Sequence, residues 1–373
     1  MAGLYIHIPL CTKRCSYCSF FSSTLIGRRA EIIDALCREM RERKGYLPAD
    51  DNVLSTIYIG GGTPSLLPMN DIERLIDNAL DTFDHAEDME ITMEANPDDL
   101  SDDYVKGMAE SRINRLSIGV QTFDDEELKL INRRHDSAEA VEAIERVKRA
   151  GIDNFGMDLI FGLPSQTSES FERTIDKAIS LAPAHISAYS LELQEDSLLF
   201  KKVEKGEVLL PSDEEVEQMS EQIADSLQEA GYEHYEISNW AKPGRRSRHN
   251  SSYWTGTPYL GVGPSAHSFD GESREWNVSN VLKYLGGAKT EKEILSEQDK
   301  YNEYLFLSLR TCEGICFADY EARYGSSRLD KLMGESLQFI ESGQMTLENG
   351  RLKLTRKGII LSNTIISELF EVD

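Results

Sequence analysis

The feature that most constrains the fold is a repeated alternation of short β-branched segments with amphipathic helical segments. The predicted strands cover residues 4–9, 56–60, 90–95, 115–120, 154–161 and 185–193. Apolar residues recur at helical spacing between them, at residues 30–44, 69–83, 102–111, 138–150 and 168–181. Parallel βα units of this kind form either an open doubly wound sheet or a barrel, since right-handed crossovers permit little else. The repeat therefore predicts an α/β fold but does not choose between these two forms.

The pattern changes in the second half of the chain, after a further predicted helix at 211–230 and a strand at 232–240. Residues 241–287 are rich in Gly, Ser, Asn and aromatic residues, so we predict functional loops packed on the first domain. The remainder is predicted to form helices at 301–309, 317–324 and 329–342, a hairpin of strands 345–347 and 351–354, and a final helix. We therefore predict a core domain at 1–236, a loop-rich segment at 237–298 and a helical, winged-helix-like domain at 299–373.

Composition excludes several classes of function. The 373 residues carry a formal charge of −25, and residues 300–373 hold 9 basic and 11 acidic side chains, which opposes nucleic-acid binding even by a winged helix. A mean hydropathy of −0.41 without a long apolar run predicts no membrane span. Residues 1–10 lack the basic segment and cleavage site of a signal peptide, so we expect a cytoplasmic protein.

Three cysteines form a C-x₃-C-x₂-C motif in the loop after the first predicted strand: Cys11, Cys15 and Cys18. In a cytoplasmic chain such a cluster indicates metal or redox chemistry rather than disulfides. A structural zinc ion normally has four ligands, whereas three thiolates on a cubane iron–sulfur cluster leave one iron open to an outside ligand. The alternative is a zinc site completed by His7 or a distant cysteine.

This motif, with Tyr17 before its third cysteine, resembles the signature of the radical S-adenosylmethionine (SAM) superfamily. The resemblance implies a [4Fe–4S] cluster on Cys11, Cys15 and Cys18, with SAM chelating the fourth iron through its amino and carboxylate groups. It also implies a partial (β/α)₆ barrel as the core of the fold. In such enzymes the reduced cluster cleaves SAM to a radical, while the protein orients cofactor and substrate.

Residues near the predicted strand ends resemble the same family pattern, and active sites of βα barrels lie at the carboxyl ends of the strands. The segment Gly60-Gly61-Gly62-Thr63-Pro64 resembles the motif for the SAM amino group. Carboxylates suit hydroxyl or amino donors, and an arginine suits the SAM carboxylate. The SAM-binding residues that the resemblance implies are Tyr5, Tyr17, Gly61, Gly62, Thr63, Glu94, Gln121, Arg133 and Asp158.

The order and spacing of these residues resemble the oxygen-independent coproporphyrinogen oxidase-like branch, in which two functions compete. The oxidase decarboxylates propionate side chains of coproporphyrinogen III, has a fourth cysteine in its motif and carries an extension before it. Here Phe20 stands at the fourth position and ten residues precede Cys11. Both departures favour the haem chaperone family.

A second motif points the same way, because His249-Asn250-Ser-Ser-Tyr253-Trp254 resembles the HNxxYW motif associated with haem binding in that family. His249 can ligate haem iron, and Tyr253 and Trp254 can cover the macrocycle. The densest basic cluster in the chain precedes the motif and can pair with haem propionates: Lys242, Arg245, Arg246 and Arg248. The alternatives are a hydrogen-bonded structural histidine and a solvated basic loop.

The sequence therefore predicts a haem chaperone that binds a [4Fe–4S] cluster and SAM, takes up haem and transfers it to an acceptor protein, which can be membrane-bound. It leaves open whether radical catalysis accompanies transfer. The alternatives are an oxygen-independent coproporphyrinogen III oxidase and a zinc-stabilised βα binding protein. The resemblance further suggests a homodimer. Cys37, Cys312 and Cys316 are predicted to be packing residues.

Overall fold

Consecutive parallel strands form the centre of the molecule. The computed structural model describes residues 1–195 and 197–372, so residues 196 and 373 of the predicted core and C-terminal domains lie outside the described residues. The central strands are β1 (Ala2–Ile8), β2 (Leu54–Gly61), β3 (His85–Ala95), β4 (Arg115–Gln121), β5 (Phe155–Phe161) and β6 (His185–Ser190). Each pairs in parallel with the next. In the described part of the chain β1 and β6 do not pair with each other, so the predicted partial (β/α)₆ barrel is confirmed.

Helices follow the strands and cover the outside of the sheet. They are α1 (Arg29–Glu42), α2 (Met69–Thr82), α3 (Asp102–Ala109), α4 (Asp125–Leu130), α5 (Ser137–Arg149), α6 (Ser168–Leu181), α7 (Leu198–Glu204) and α8 (Asp213–Glu229). Local sequence explains their starts: Asp136, Thr167 and Ser212 each form a capping box with the third residue of the helix that follows. The short helices α4 and α7 were not predicted, since neither is long enough to show a helical period.

Alternation along the strands separates the core from the barrel interior. On β1, Leu4, Ile6 and Ile8 are fully buried in the main hydrophobic core, and each such side chain contributes about 1.5–3 kcal/mol. Tyr5 and His7 take the other face, where the Tyr5 hydroxyl lies 3.0 Å from His7 Nδ1. The hydrophobic effect therefore directs one set of β1 side chains outward to the helices and leaves the polar set for the barrel interior.

The prediction of loops over residues 241–287 is wrong. This region contains α9 (Arg248–Trp254), β9 (Tyr259–Val262), β10 (His267–Phe269), β11 (Ser273–Trp276) and α10 (Val281–Leu285), and β12 (Glu291–Ile294) follows. Strand β9 pairs in parallel with β1, and β10–β12 continue the sheet by antiparallel pairing. These strands are too short for a periodic signal and form because β1 offers an open edge.

The strand predicted at 232–240 is also different, because it is a hairpin of β7 (Glu233–Glu236) and β8 (Asn239–Ala241). Strand β8 pairs antiparallel with β6, which ends the parallel run. The sheet order is β12-β11-β10-β9-β1-β2-β3-β4-β5-β6-β8-β7. The additional strands therefore extend the barrel sheet at both of its edges.

The C-terminal region has a hydrophobic cluster of its own, around Tyr301, Tyr320 and Leu352. Its elements are α11 (Glu297–Leu309), β13 (Ile315–Cys316), α12 (Phe317–Tyr324), α13 (Ser326–Glu341), β14 (Met345–Glu348), β15 (Arg351–Leu354), α14 (Arg356–Ile360) and α15 (Ser362–Glu368). The sheet order is β13-β15-β14, and the predicted final helix is two short helices. Helices followed by a small hairpin confirm the winged-helix-like fold, while the exact domain boundaries stay a prediction. Among the described helices, none has the length and apolar character needed to cross a bilayer.

Candidate functional site

A cavity of about 400 Å³ lies at the carboxyl ends of the parallel strands. Of the twelve residues predicted to bind the cluster and SAM, the cavity is lined by all except Tyr5: Cys11, Cys15, Cys18, Tyr17, Gly61, Gly62, Thr63, Glu94, Gln121, Arg133 and Asp158. A larger and shallower cavity, of about 730 Å³, lies between α5 and α6 and is lined by none of the predicted site residues. The structure therefore brings together residues that come from four strands, β2 to β5, and from the loops after β1, β2 and α4.

The loop between β1 and α1 presents the three cysteines to this cavity. Cys11 Sγ lies 3.3 Å from the Thr63 hydroxyl, and Arg133 donates from Nη1 to Cys15 Sγ across 3.5 Å. Burial raises the pKa of the Cys18 thiol to about 11 and also raises that of Cys11. Buried thiols of this kind stay protonated until a metal cation offsets the cost of the thiolate charge.

His7, which the sequence offers as a fourth zinc ligand, is held by other partners. Its Nε2 is 2.9 Å from the Phe21 carbonyl oxygen, its Nδ1 is bonded to Tyr5, and burial lowers its pKa to about 4. Within residues 1–195 and 197–372, no three His, Cys, Asp or Glu side chains are arranged to hold a metal ion together. Among the residues that the structure describes, the geometry supplies no fourth protein ligand for zinc, whereas three thiols around one cavity fit a cluster that keeps one iron open.

The turn after β2 lets backbone approach the cysteine loop closely. Gly61 has a φ of 109°, and a Cβ there would lie 2.6 Å from the His7 ring. A Cβ on Gly62 would lie 2.7 Å from the Leu10 carbonyl oxygen. No side chain fits at either position, so this turn forms a wall of backbone groups on the cavity.

Two carboxylates form the polar floor of the cavity. Glu94 accepts hydrogen bonds from the Tyr58 hydroxyl (2.9 Å) and from the Gly61 backbone amide (3.0 Å). Burial, and secondarily the Asp158 charge, raise the pKa of Glu94 to about 7. The Ser117 hydroxyl donates to both Asp158 oxygens, 3.1 Å away, while burial raises the Asp158 pKa. Buried acceptors with perturbed pKa values in a cavity are typical of binding and catalytic sites.

Arg133 connects the cysteine loop to the strand ends. Its Nη2 donates to Asn96 Oδ1 (2.8 Å) and to the Gly119 carbonyl oxygen, while Nη1 contacts Cys15. Gln121, the last residue of β4, has a φ of 72°, in the left-handed region that few residues other than glycine adopt. Strain of this kind is concentrated at functional sites.

Sequence reasoning missed several cavity residues, including Tyr58, Asn96 and Ser117, although strand alternation places Tyr58 and Ser117 on the same face as residues it identified. It also missed Arg115, which is 1% exposed and has no hydrogen-bond partner for any guanidinium nitrogen among the described residues. The Arg115 charge lowers the pKa of His249 and opposes the rise of the Asp158 pKa. The signal that could have identified it is a single charged residue at the start of an otherwise uncharged strand.

The predicted haem ligand lies at the opposite end of the barrel. His249 is 1% exposed, with Nδ1 2.8 Å from the Thr56 hydroxyl and Nε2 2.8 Å from the Tyr253 hydroxyl. Its ring stacks on Tyr58 at 5.0 Å, and burial together with the Arg115 charge lowers its pKa to about 3. In this conformation neither ring nitrogen is available to an iron, so the geometry favours the alternative of a hydrogen-bonded structural histidine.

The other residues of the motif have different surroundings. Asn250 alone lines the cavity, whereas Tyr253 packs edge-on against Tyr259, with ring centroids 4.8 Å apart, and Trp254 is half-buried. The polar atom of Tyr253 is used by His249. The structure therefore does not gather the four predicted haem residues around one open surface.

Most side chains of the predicted basic cluster already contact other groups of the protein. Lys242 donates to the Ala182 carbonyl oxygen across 3.0 Å. Arg246 pairs with Glu313 at 2.7 Å, and Arg248 pairs with Asp88 at 3.3 Å. The remaining member, Arg245, is exposed on the same turn. These contacts connect segments of the protein and leave little free positive charge for haem propionates.

Comparison with known proteins places this geometry in a family. Residues 5–178 match the radical SAM superfamily, and residues 295–361 match the HemN C-terminal domain. "Heme chaperone HemW" of Lactococcus lactis is 37% identical, over 98% of this chain and 96% of that protein, and its namesake in Bacillus subtilis is 35% identical, over 98% of each. The coproporphyrinogen III oxidase (HemN) structure from Escherichia coli covers 99% of this chain and 90% of its own, with a TM-score of 0.85 at 23% identity, which shows a common fold. The chain belongs to the HemW-type haem chaperone family of the radical SAM superfamily, within its oxygen-independent coproporphyrinogen III oxidase-like branch.

Proposed function

We propose that this protein is a haem chaperone that binds a [4Fe–4S] cluster and SAM in the cavity at the strand ends and passes haem to an acceptor protein. The observation that carries the proposal is the convergence of three thiols, two buried carboxylates and one guanidinium on a single cavity. The names of the full-length relatives support haem as the cargo.

In this proposal Cys11, Cys15 and Cys18 hold the cluster through their thiolates. When bound, the cluster supplies an electron and an open iron for SAM. Arg133 already donates to Cys15, and its guanidinium can also receive the SAM carboxylate. These four residues therefore form the side of the cavity that would hold the cluster.

The opposite wall is proposed to bind SAM. The Gly61-Gly62 turn and Thr63 give backbone and hydroxyl groups to the amino end, and Glu94 and Asp158 accept hydrogen bonds from amino or ribose hydroxyl groups. Gln121 and Tyr17 complete this set as cavity-lining groups. Tyr5 does not line the cavity and is proposed to act indirectly, through Tyr58, whose ring centroid is 6.1 Å from its own. A cavity of about 400 Å³ is of the size that holds one cofactor-sized ligand.

The test is a sequence of anaerobic measurements on the cluster-reconstituted full chain. Iron and sulfide analysis is expected to give one [4Fe–4S] cluster, calorimetry to give saturable SAM binding, and absorption titration to give saturable haem binding. Haem-loaded protein is then mixed with a haem-free b-type cytochrome, and transfer is followed by the cytochrome spectrum. Absence of haem binding, together with consumption of coproporphyrinogen III in the presence of SAM and reductant, would replace the chaperone by the oxidase.

A further inference from the structure

Helix α9 closes the amino end of the barrel with a single buried side chain. Of its seven residues only His249 is buried, while Arg248 is exposed and the others are partly exposed. Glycine turns flank the helix, since Gly244 and Gly256 have positive φ angles of 74° and 66°. Segments with few buried contacts open at a low cost in free energy. Helix α9 therefore has the construction of a small lid between two turns.

Polar contacts at the first two residues of α9 hold this lid on the barrel. Glu90, which is 6% exposed, accepts hydrogen bonds from the backbone amides of Arg248 and His249, each at 3.0 Å. The Thr56 hydroxyl lies 2.8 Å from His249 Nδ1. Arg248 also pairs with Asp88 at 3.3 Å, on the exposed side of the helix. Among the described residues, the buried hydrogen bonds between lid and barrel thus come from Glu90 on β3 and Thr56 on β2.

The closed conformation is incompatible with haem ligation by His249. The ring is 1% exposed, and its other nitrogen, Nε2, lies 2.8 Å from the Tyr253 hydroxyl on the same helix. It stacks on Tyr58 and stands over Gly3, where a Cβ would lie 3.2 Å from His249 Cε1. A haem iron needs a free imidazole nitrogen and space for the macrocycle. Binding at the HNxxYW motif therefore requires His249 to leave the barrel interior.

We propose that α9 opens to let haem bind at the HNxxYW motif, and that Thr56 and Glu90 hold α9 closed and thereby limit haem affinity. This inference rests on the proposed function as a haem chaperone and on the predicted role of His249 as haem ligand. The bond to Thr56 joins helix and barrel, so opening breaks it, whereas Tyr253 moves together with His249. One histidine thus closes the barrel in one conformation and serves the iron in the other.

A closed resting form determines the sign of the expected mutational effects. A ligand that binds only an open minority has its apparent affinity reduced by the open fraction. Substitutions that weaken the contacts of the lid raise this fraction, so they strengthen haem binding although they remove protein contacts. Neither Thr56 nor Glu90 lines the cluster cavity, so these substitutions leave the groups proposed to bind the cluster and SAM in place.

The first experiment measures haem binding to the cluster-reconstituted full chain by absorption titration and stopped-flow mixing. Thr56→Val is expected to raise the apparent affinity and the association rate about three- to tenfold, because it removes the hydroxyl that bonds His249. Thr56→Ser keeps this hydroxyl and is expected to bind haem like wild type. Glu90→Gln is expected to raise both quantities about two- to fivefold, since a neutral amide accepts hydrogen bonds more weakly than a carboxylate.

A matched control removes a buried hydroxyl far from the lid. Thr82 in α2 donates to the Asn78 carbonyl oxygen, and Thr82→Val is expected to leave haem affinity unchanged. A second control tests whether the gain acts through the histidine. In the double variant Thr56→Val/His249→Phe, the gain over His249→Phe alone is expected to disappear.

The second experiment follows the lid directly by hydrogen exchange and does not depend on haem transfer. The Arg248 and His249 amides, which bond Glu90, are expected to be protected in haem-free wild type. Saturating haem is expected to raise the exchange rate of the peptide that contains them by at least about fivefold, while the central strands stay protected. Thr56→Val is expected to raise exchange of the same peptide without haem.

The outcomes separate the lid from the proposed function. If wild type binds haem but Thr56→Val and Glu90→Gln bind it equally or more weakly, and the α9 amides stay protected, the lid is overturned and the proposed function stands. A gain that persists without His249 would also overturn the lid. If Thr56→Val does not fold, Glu90→Gln and the exchange of wild type decide in the same way. Failure of wild type to bind haem would overturn both.

Discussion

The two ends of the barrel both contain polar side chains, but in opposite conditions. At the carboxyl end, the cysteine thiols, Glu94 and Asp158 line a cavity. At the amino end, α9 closes the barrel, and His249 makes hydrogen bonds with Thr56 and Tyr253 that use both of its ring nitrogens. Both ends were predicted to be functional from their residue types. The difference shows that the chemistry available at a site depends on which polar atoms remain accessible and unpaired.

A carboxylate illustrates this difference well. Glu90 lies four residues before Glu94 on β3. Its carboxylate accepts hydrogen bonds from the backbone amides of Arg248 and His249, each at 3.0 Å. These amides begin α9, where the helix dipole attracts negative charge, so the anion at this helix start comes from the protein itself. Glu94 instead receives donors on one side and faces the cavity on the other. Of two glutamates four residues apart on β3, Glu90 therefore supports the helix start and Glu94 is the one proposed to bind a ligand.

The largest expected effect tests the accessible end. Cys11→Ser, Cys15→Ser and Cys18→Ser are each expected to reduce reconstituted iron and sulfide to near zero, because a hydroxyl does not replace a thiolate on the cluster. Cys316→Ser, a half-buried cysteine outside the cavity, is the matched control and is expected to retain full iron and sulfide. Full cluster content in any of the three motif variants would contradict the assignment.

The next effect tests the closed end. His249→Phe leaves the Thr56 and Tyr253 hydroxyls without their partner and is expected to lower the free energy of unfolding by about 2–4 kcal/mol. Urea denaturation of wild type and variant measures this change. SAM affinity is expected to be unchanged, with Tyr259→Phe as a control that removes a hydroxyl from the same aromatic cluster. A loss of SAM binding without loss of stability would contradict a purely structural role for His249 at the amino end of the barrel.

The buried histidine also predicts a pH dependence. His249 has a pKa of about 3 in the folded protein against an ordinary value of about 6.5, so the unfolded state binds the extra proton as pH falls between these values. Its contribution is therefore complete above pH 6.5 and is lost as pH falls toward 3, by about 1.4 kcal/mol per pH unit. His249→Phe is expected to remove that part of the slope. Denaturation curves at pH 5, 6 and 7 test this, and identical slopes would contradict it.

A smaller effect separates two glutamates with similar pKa values. Burial raises the pKa of both Glu94 and Glu236 to about 7, but only Glu94 lines the cavity. SAM affinity is expected to increase as pH rises through 7, because the ionised Glu94 is the better acceptor, and Glu94→Gln should lower affinity about tenfold and remove this dependence. Calorimetry on Glu236→Gln provides the control, which is expected to keep the wild-type pH profile.

The smallest effect concerns the basic cluster. Arg246→Ala breaks ion pairs with Glu313 and Glu233 and is expected to lower the free energy of unfolding by only about 0.5–1 kcal/mol, since these pairs are partly exposed. Arg245→Ala, on the same turn, is the control and should change stability less. Reduced haem affinity in Arg246→Ala at unchanged stability would instead show that this cluster binds the haem propionates, as the sequence predicts.

The sequence by itself determined the order of strands and helices, the cysteine spacing and the Gly61-Gly62 turn, because periodicity, capping and backbone freedom are local properties. The resemblance of its motifs to the radical SAM family further implied the barrel and, as cluster or SAM ligands, eleven of the residues that line the cavity. Tertiary structure alone decided that β9 pairs with β1 and that His249 is satisfied by Thr56, 193 positions away. The physical reason is that desolvation and hydrogen-bond pairing depend on neighbours that only the folded chain brings together.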